Sequence, residues 1–191
     1  MIFPATYNCL SQNEFVFEDC KLVPIRYEDR LAIMKWRNEQ IYHLRQDKYL
    51  TEKSQDDYFN GTVARLFIQK KPDQILFSYL KNDKCIGYGG LVHINWVDKN
   101  AEISFVMDTE LEKDFFQKHW LNWLYLIEKV AFSELNLNKI YTYAFDLRPH
   151  LYLAVENAGF FKEATLLKHI KFKEKYINVV IHSKINTNKN Y

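Results

Sequence analysis

One stretch of the chain places an acidic side chain among apolar neighbours. In Asn-Ala-Glu-Ile-Ser-Phe-Val-Met-Asp, residues 100–108, the side chains of an extended strand alternate between two faces, which separates Glu102 from Phe105. A carboxylate in this setting can take a proton from a substrate, or it can be a hydrogen-bonded structural group. His93 and His150 are further candidates because imidazole exchanges protons near neutral pH, although either can instead contact a substrate or support the fold. The six histidines lack metal-ligand spacing, and we predict no metal site.

The elements that must position these residues follow a definite order. β-Branched and aromatic residues predict two strands joined by a short polar turn, which is typical of a hairpin. Gly87, Gly89 and Gly90 in the first of these strands predict a bulge or a close backbone approach. Apolar residues spaced three and four apart then predict a helix, and a strand and a second helix complete a βαβ crossover. The predicted elements are strands at 85–96 and 101–107, a helix ending at Leu135, a strand at 140–145 and a helix ending near Gly159.

The remaining segments predict a single domain of α+β class. Residues 1–19 show no clear period, and we expect an extension packed loosely against a domain at 20–185. Residues 186–191 are polar and predict a frayed tail. The other predicted elements are strands at 21–27, 75–80, 164–172 and 176–185 and helices at 28–40 and 51–69.

Composition narrows the class of protein. The 191 residues, 48% hydrophobic and 26% charged, suffice for one domain with a full core. A net charge of +2 gives no reason to expect a nucleic-acid or bulk-membrane partner. Cys9, Cys20 and Cys85 are odd in number and lack metal-ligand spacing, which favours a reduced, cytoplasmic protein. The first residues lack the features of a signal peptide, and no stretch reaches the roughly 20 apolar residues of a membrane helix.

Several phrases, taken in order, resemble one superfamily. Ala-Glu-Ile at 101–103 opens a strand, Ala-Phe-Ser-Glu-Leu at 131–135 precedes Leu-Asn-Lys-Ile-Tyr at 137–141, and Asn-Ala-Gly-Phe at 157–160 closes a helix. Over residues 20–185 they resemble the GNAT superfamily of acyl-CoA-dependent N-acetyltransferases. The branch that this wording favours includes ribosomal-protein acetyltransferases and amino-sugar acetyltransferases of pseudaminic-acid-type pathways. The resemblance implies a GNAT fold with a mixed, mostly antiparallel sheet of about seven strands and about four helices.

The resemblance also implies catalytic residues. Acetyl transfer needs a polarised carbonyl, a neutral amine and a proton for the departing thiolate. Family members often carry a glutamate at the position of Glu102, which makes it the candidate general base. The thiolate's proton donor in many members is a tyrosine on the last helix, but that position is Val155 here. Tyr152 lies three residues earlier on about the same face and is the candidate replacement, with a core or acceptor-lining role as the alternative.

The expected pyrophosphate cradle departs from the family pattern. The usual phrase, Arg/Gln-x-x-Gly-x-Gly/Ala, lets backbone amides at a helix start approach phosphates. The matching residues are 115–120, where Lys118 and Trp120 replace both glycines. Asp114 with Gln117, or Thr109 with Glu112, can still start a helix there as a capping box. The predicted acetyl-CoA contacts are Phe105, Val106, Met107, Gln117, Lys118, His119 and Trp120.

The lost glycines leave two alternatives. Either the amides still form a cradle, with Lys118 and His119 adding positive charge, or the protein is a catalytically silent scaffold. Trp120 can reshape the wall of the site, or it can be a plain core residue, and Lys118 and His119 can be a solvated helix start. We expect acetyl-CoA as co-substrate and a small-molecule primary amine as acceptor, and a homodimer stays open. The resemblance favours a nucleotide-linked amino sugar, with a protein N-terminus second, and the predicted acceptor-binding residues are Trp36, Arg37, Asn38 and His93.

Overall fold

Eight strands form one mixed sheet in the computed structural model, which describes residues 3–187. The strands are β1 (Phe15–Phe17), β2 (Cys20–Pro24), β3 (Ile75–Lys81), β4 (Lys84–Asn95), β5 (Asn100–Met107), β6 (Lys139–Phe145), β7 (Phe161–Phe172) and β8 (Lys175–Ile185). Their order across the sheet is β1-β2-β3-β4-β5-β6-β8-β7. All neighbours are antiparallel except β5 and β6, which are parallel.

Four helices accompany the sheet. They are α1 (Arg30–Glu39), α2 (Glu52–Tyr58), α3 (Thr109–Glu128) and α4 (Pro149–Asn157). A π-helical turn at Phe59–Val63 prolongs α2 into the short helical turn Ala64–Leu66, and another at Lys129–Glu134 prolongs α3. The predicted α+β class is confirmed, with eight strands where about seven were expected. Among the described residues, no helix is both long and apolar enough to cross a membrane.

The additional strand lies in the segment that we expected to pack loosely, 1–19. Tyr7 is buried, and its ring stacks on Phe67 with 4.1 Å between centroids. Its hydroxyl donates to the carbonyl of Leu76 at 2.8 Å and accepts from the amide of Leu76 at 3.1 Å. Phe15 in β1 is also buried. The described part of this segment therefore belongs to the core, while residues 1–2 lie outside the described residues.

The first residue of the predicted frayed tail, Asn186, is held by hydrogen bonds. Asn186 is buried, its amide donates to the carbonyl of Asn138 at 2.8 Å, and its side-chain nitrogen donates to the carbonyl of Leu137 at 3.0 Å. The first residue of the predicted frayed segment is thus fixed to the turn before β6. Residues 188–191 lie outside the described part of the chain.

The parallel pair β5–β6 creates an opening in the sheet. Its register covers three residue pairs, which run from Asn100 with Lys139 to Glu102 with Tyr141. Beyond Glu102, no further β5–β6 pairing occurs in the described chain, so residues 103–107 have no strand partner on that side. The separation of the two strands produces a notch in the sheet next to Glu102.

Glycines in β4 allow its neighbours to approach closely, as the sequence predicted. A Cβ atom added at Gly89 would lie 2.0 Å from the carbonyl oxygen of Ser104 in β5. One added at Gly90 would lie 1.9 Å from the carbonyl oxygen of Ile75 in β3. Both distances are far shorter than any tolerated contact between a methyl group and a backbone oxygen. The ladder that carries β5 therefore requires glycine at these positions.

We expect Gly89→Ala to destabilise the protein by about 1–3 kcal/mol or more, because an inserted methyl group must displace the backbone of β5. The matched control is Gly61→Ala in the helical turn after α2, where an added Cβ meets no atom within 4 Å. That change should leave stability unchanged or raise it by roughly 0.5–1 kcal/mol, because alanine restricts the unfolded chain. Urea unfolding measures both variants. Equal effects of the two substitutions would contradict the close approach at Gly89.

Candidate active site

The notch between β5 and β6 opens a cleft of about 290 Å³. Its lining comes from α1 and the loop after it, from the segment before β3, from β4, β5 and β6, from the middle of α3 and from the start of α4. Five of the residues selected from the sequence line this cleft: Arg37, His93, Glu102, Phe105 and Trp120. Unpredicted lining residues include His43, Arg45, Asp73, Tyr143 and Arg148.

Glu102 is a buried carboxylate, 5% exposed, at the point where the two strands separate. One of its oxygens accepts a hydrogen bond from the guanidinium of Arg45. The other lies 3.9 Å from Nε2 of His93. Burial raises the pKa of Glu102, and the positive charge of Arg45 and a protonated His93 oppose that rise. A carboxylate with a raised pKa beside an open cleft is suited to accept a proton.

The loop that carries Arg45 is fixed by two residues of α1. The side chain of Asn38 donates to the carbonyl of Leu50 at 2.9 Å and accepts from the amide of Leu50 at 2.8 Å. Arg37 donates to the side chain of Gln46 at 2.9 Å. These contacts hold both ends of the loop against α1. Asn38 therefore positions the loop that carries Arg45, and its predicted role in acceptor binding stays a prediction.

Arg37 also reaches the neighbouring sheet. Its guanidinium donates to the hydroxyl of Tyr88 in β4 at 2.6 Å. Arg45 lies with its guanidinium carbon 4.8 Å from the ring centroid of Tyr143 in β6. Both arginines line the cleft. Both guanidinium planes are fixed by an aromatic side chain.

The start of α3 differs from both capping boxes that the sequence suggested. Asp108 is the N-cap, and its side chain accepts from the amide of Glu110 at 3.1 Å. The helix therefore begins at Thr109, directly after β5, and the expectation of a start at Asp114 is wrong. Thr109 with Glu112 does not form the predicted box either, because the cap lies one residue earlier.

This shift moves the predicted cradle into the interior of the helix. Residues 117–120 lie more than two turns from the N-terminus, where backbone amides are bonded within the helix. Lys118 is exposed, whereas His119 is buried with its ring 3.1 Å from the hydroxyl of Tyr79. The side-chain nitrogen of Gln117 donates to the carbonyl of His150. The predicted amide cradle is therefore absent from 115–120, and of the group 117–120 only Trp120 lines the cleft in the described structure.

Trp120 belongs to an aromatic wall that also includes Phe105. Their ring centroids lie 5.1 Å apart in an edge-to-face contact, and Phe105 stacks on Trp123 at 4.3 Å. Val106 and Met107, the other predicted cofactor contacts on β5, are buried in the core. Trp36 is likewise a core residue. The aromatic wall gives the cleft one apolar side.

Tyr152, the candidate proton donor, lies outside the lining of the cleft as described. Its hydroxyl donates to Asp146 at 2.8 Å, and its ring stacks on His182 with 5.2 Å between centroids. Burial and the Asp146 carboxylate raise the pKa of Tyr152. Its assignment as donor stays a prediction, and the described contacts give it a structural role between α4 and β8.

Arg148 is the most deeply buried of the arginines that line the cleft. It precedes Pro149 at the start of α4, is 6% exposed, and its guanidinium donates to Glu112 of α3. Its terminal nitrogen Nη1 lies 3.0 Å from Nε2 of His43, and its guanidinium carbon lies 5.1 Å from the ring centroid of Phe116. Burial, followed by the charge of Arg148, lowers the pKa of His43 to about 3. His43 is therefore neutral at pH 7.

Sequence reasoning missed Arg45 and Arg148 for the same reason. Each is a single charged residue in a loop or at a helix start, without periodicity on either side. The only available signal for Arg148 is its place before Pro149, which marks a helix start after a predicted strand.

Comparison with known proteins places this geometry in a family. A family model described as an acetyltransferase (GNAT) domain matches residues 22–181. A structure of spermidine N-acetyltransferase from Vibrio cholerae in complex with CoA and spermine is similar, with a TM-score of 0.75 and 19% identity over 88% of this chain and 96% of that chain. Mutant forms of the Vibrio cholerae spermidine/spermine N-acetyltransferase give a TM-score of 0.71 and 19% identity over 89% and 95% of the two chains. At this identity the likeness shows the fold. No curated protein matches the chain.

A mixed sheet that parts at its parallel pair, with a carboxylate buried at the fork, defines an acyl-CoA N-acyltransferase fold. The chain belongs to the acetyltransferase (GNAT) domain family, whose model matches 22–181. It is an N-acetyltransferase that takes its acetyl group from acetyl-CoA and transfers it to an amine.

The low pKa of His43 predicts a dependence of stability on pH. An unfolded histidine has a pKa near 6.5, so the unfolded chain binds this proton first as pH falls. The contribution of neutral His43 to the unfolding free energy is complete above about pH 6.5. It is lost as pH falls towards the pKa of His43 in the folded protein, about 3. As pH falls from 7 to 4, we expect the unfolding free energy of the wild type to decrease more steeply than that of His43→Gln. Urea unfolding at several pH values measures it.

The exposed His169→Gln is the control for that series, and its stability should follow the wild type across the range. Parallel curves for wild type and His43→Gln would mean that His43 carries no linked proton.

Proposed function

We propose that the enzyme acetylates a primary amine on an acceptor that also carries negative charge, most specifically a nucleotide-linked amino sugar. One observation carries this proposal: with Arg148 paired to Glu112 and Glu102 reserved as the proposed base, the cleft lining still holds Arg37 and Arg45 against one carboxylate, Asp73. A polyamine would meet this excess of guanidinium groups as a like charge, which is unfavourable. An anionic acceptor would be attracted, and guanidinium groups pair well with phosphate.

The cleft contacts also support stacking with the acceptor. Tyr143 lies beneath the guanidinium of Arg45, and both line the cleft next to Glu102. A sugar or base placed there can contact a planar surface while its phosphates pair with arginine. The ribosomal-type alternative, acetylation of a protein N-terminus, has no comparable supporting feature in the described cleft. The amino-sugar branch suggested by the sequence is therefore the one that we propose.

Glu102 is the proposed general base. The amine nitrogen forms a bond to the acetyl carbon, the carbon–sulfur bond breaks, and the sulfur leaves as a thiolate. The proton removed from the nitrogen goes to Glu102, whose raised pKa favours holding it. Arg45 orients the carboxylate, and release of its proton to solvent restores the base. The donor to the thiolate remains the untested prediction for Tyr152.

The notch fits the amide-bearing arm of acetyl-CoA better than it fits the phosphates. The free edge of β5 at 103–107 can hydrogen-bond an amide-bearing arm, as a strand partner would. Phe105 and Trp120 supply an apolar wall for it. At the start of α3, however, the side chains of Glu110 and Glu112 oppose a phosphate group by charge. The arm of the co-substrate fits the strand edge, and its phosphates require a positive group from another element.

Two general predictions remain, the cellular compartment and the oligomeric state. The cysteines Cys9, Cys20 and Cys85 are free thiols, which supports the proposed cytoplasmic setting. A homodimer stays a proposal without a surface to carry it.

Glu102→Gln should lower kcat by roughly 10²- to 10⁴-fold while acetyl-CoA affinity changes little, because the amide cannot take the proton. In the wild type, kcat should rise with pH as Glu102 loses its proton, and this rise should be absent from the variant. Steady-state rates from pH 5 to 9 measure both effects. The exposed Glu52→Gln in α2 is the matched control and should behave as wild type. A folded Glu102→Gln variant with a normal rate and pH profile would remove Glu102 from the mechanism.

The acceptor class is tested by comparing a nucleotide-linked 4-amino sugar, spermidine and an N-terminal peptide as substrates. We expect the highest kcat/KM for the nucleotide sugar, and a KM that rises with salt because exposed charges are screened. Release of the CoA thiol, detected with a thiol reagent, measures each rate. A higher kcat/KM for spermidine would overturn the proposal of an anionic acceptor.

A further inference from the structure

Arg148 has more hydrogen-bonding capacity than its surroundings use. A guanidinium carries five N–H donors and no acceptor. Nη2 donates to Glu112 and Nη1 lies beside His43, but the buried Nε has no hydrogen-bond partner among the described residues. A buried, unsatisfied polar group on a cation is costly. One carboxylate oxygen does not satisfy this side chain, and a ligand with several anionic oxygens would.

The position of Glu112 is equally unusual. It lies in the first turn of α3, where free amides and the helix dipole favour a negative charge. Its carboxylate is 15% exposed and bonds a cation that lines the cleft. Glu112 therefore occupies, with its own carboxylate, the place at which an anionic ligand would meet both the helix start and Arg148.

We propose that Arg148 binds the diphosphate of acetyl-CoA, and that Glu112 holds this place in the free protein and is displaced when the co-substrate binds. The proposal rests on the acetyl-CoA-dependent activity assigned above. Under this proposal the phosphates are bound by a residue at the start of α4, in place of the glycine-rich loop that this chain lacks.

The surroundings of Arg148 allow such an exchange. The ring of Phe116 lies 5.1 Å from the guanidinium carbon, and His43 lies on another side. Neither contact depends on Glu112, so the guanidinium keeps two supports when the carboxylate leaves. Glu112 is near the surface of the first helical turn, and a change of side-chain rotamer would carry it towards solvent.

The same pair would behave differently if it were only structural. Loss of either partner would then leave a buried charge unpaired, and both substitutions would act in the same direction on stability and on binding. Under our proposal the two substitutions have opposite effects on affinity. Glu112 competes with the ligand, whereas Arg148 binds it.

The experiment is calorimetric titration of CoA into wild type and variants at low salt. Glu112→Gln should lower Kd roughly tenfold, and Arg148→Gln should raise it at least roughly tenfold, which is the size of one charge-assisted hydrogen bond. Arg148→Lys should restore part of the affinity. Glu110→Gln is the matched control, because this residue is in the same turn but 74% exposed, and its effect should be small.

Two further probes identify the group that Arg148 recognises. Dephospho-CoA keeps the diphosphate and lacks the 3′-phosphate, so both shifts in Kd should persist. Pantetheine lacks the diphosphate, so Glu112→Gln and Arg148→Gln should bind it as the wild type does. Shifts that vanish with dephospho-CoA, or that remain with pantetheine, would overturn the assignment to the diphosphate.

The outcomes separate this inference from the assigned activity. If the folded wild type and Glu112→Gln both fail to bind CoA at millimolar concentration, the acetyl-CoA-dependent function fails and the inference with it. If the wild type binds CoA and Glu112→Gln binds no more tightly, only the inference fails. Thermal melting checks folding, and Glu112→Met, of similar volume, replaces Glu112→Gln if that variant does not fold.

Discussion

The short parallel contact between β5 and β6 is the constraint on which the site depends. Three residue pairs are enough to align the strands, and the ladder then ends at Glu102. A longer ladder would close the notch next to Glu102, and a shorter one would move the separation of the strands away from it. The position of β5 is set from its other side, where Gly89 and Gly90 of β4 admit neighbouring backbones at distances that no side chain permits. The catalytic geometry is thus built on backbone contacts, and side chains from helices and loops are added to it.

Charge is distributed along the cleft in a way that separates two tasks. Arg45 and His93 lie beside Glu102, the proposed base, where the two strands separate. Arg148 lies at the start of α4, paired with an acid from α3. A guanidinium next to a carboxylate lowers the pKa of that carboxylate, and under our proposals Arg45 does this for the base whereas Arg148 becomes available to a ligand when Glu112 leaves. The same residue type would then have different consequences at the two positions.

Periodicity predicted the strands and helices because it reports which faces are buried, and the elements that carry Glu102, His93 and Arg37 meet at the cleft. It did not predict the start of α3, because Asp108, Thr109 and Asp114 are all acceptable first residues by type. The helix begins at Thr109 because β5 ends at Met107 and the helix follows the strand without a loop. The partners of Glu102 and Glu112 were also beyond reach: Arg45 is 57 residues from the first, and Arg148 is 36 residues from the second. Such pairs arise from tertiary proximity and leave no local pattern.

The side chain of Tyr7 contacts the backbone of β3 at Leu76, just beyond the point where the pairing of β3 with β2 ends. Its hydroxyl serves the amide and the carbonyl of Leu76 together, as the backbone of a neighbouring strand would. The unit that folds cooperatively consequently begins ahead of residue 22, where the family match starts. A chain trimmed to the matched range would lose the Tyr7 hydroxyl and expose the face of Phe67. The amide of Leu76 would then lack its partner and could pair with a strand of another molecule. For this protein, the limits of family resemblance and the limits of autonomous folding are different boundaries.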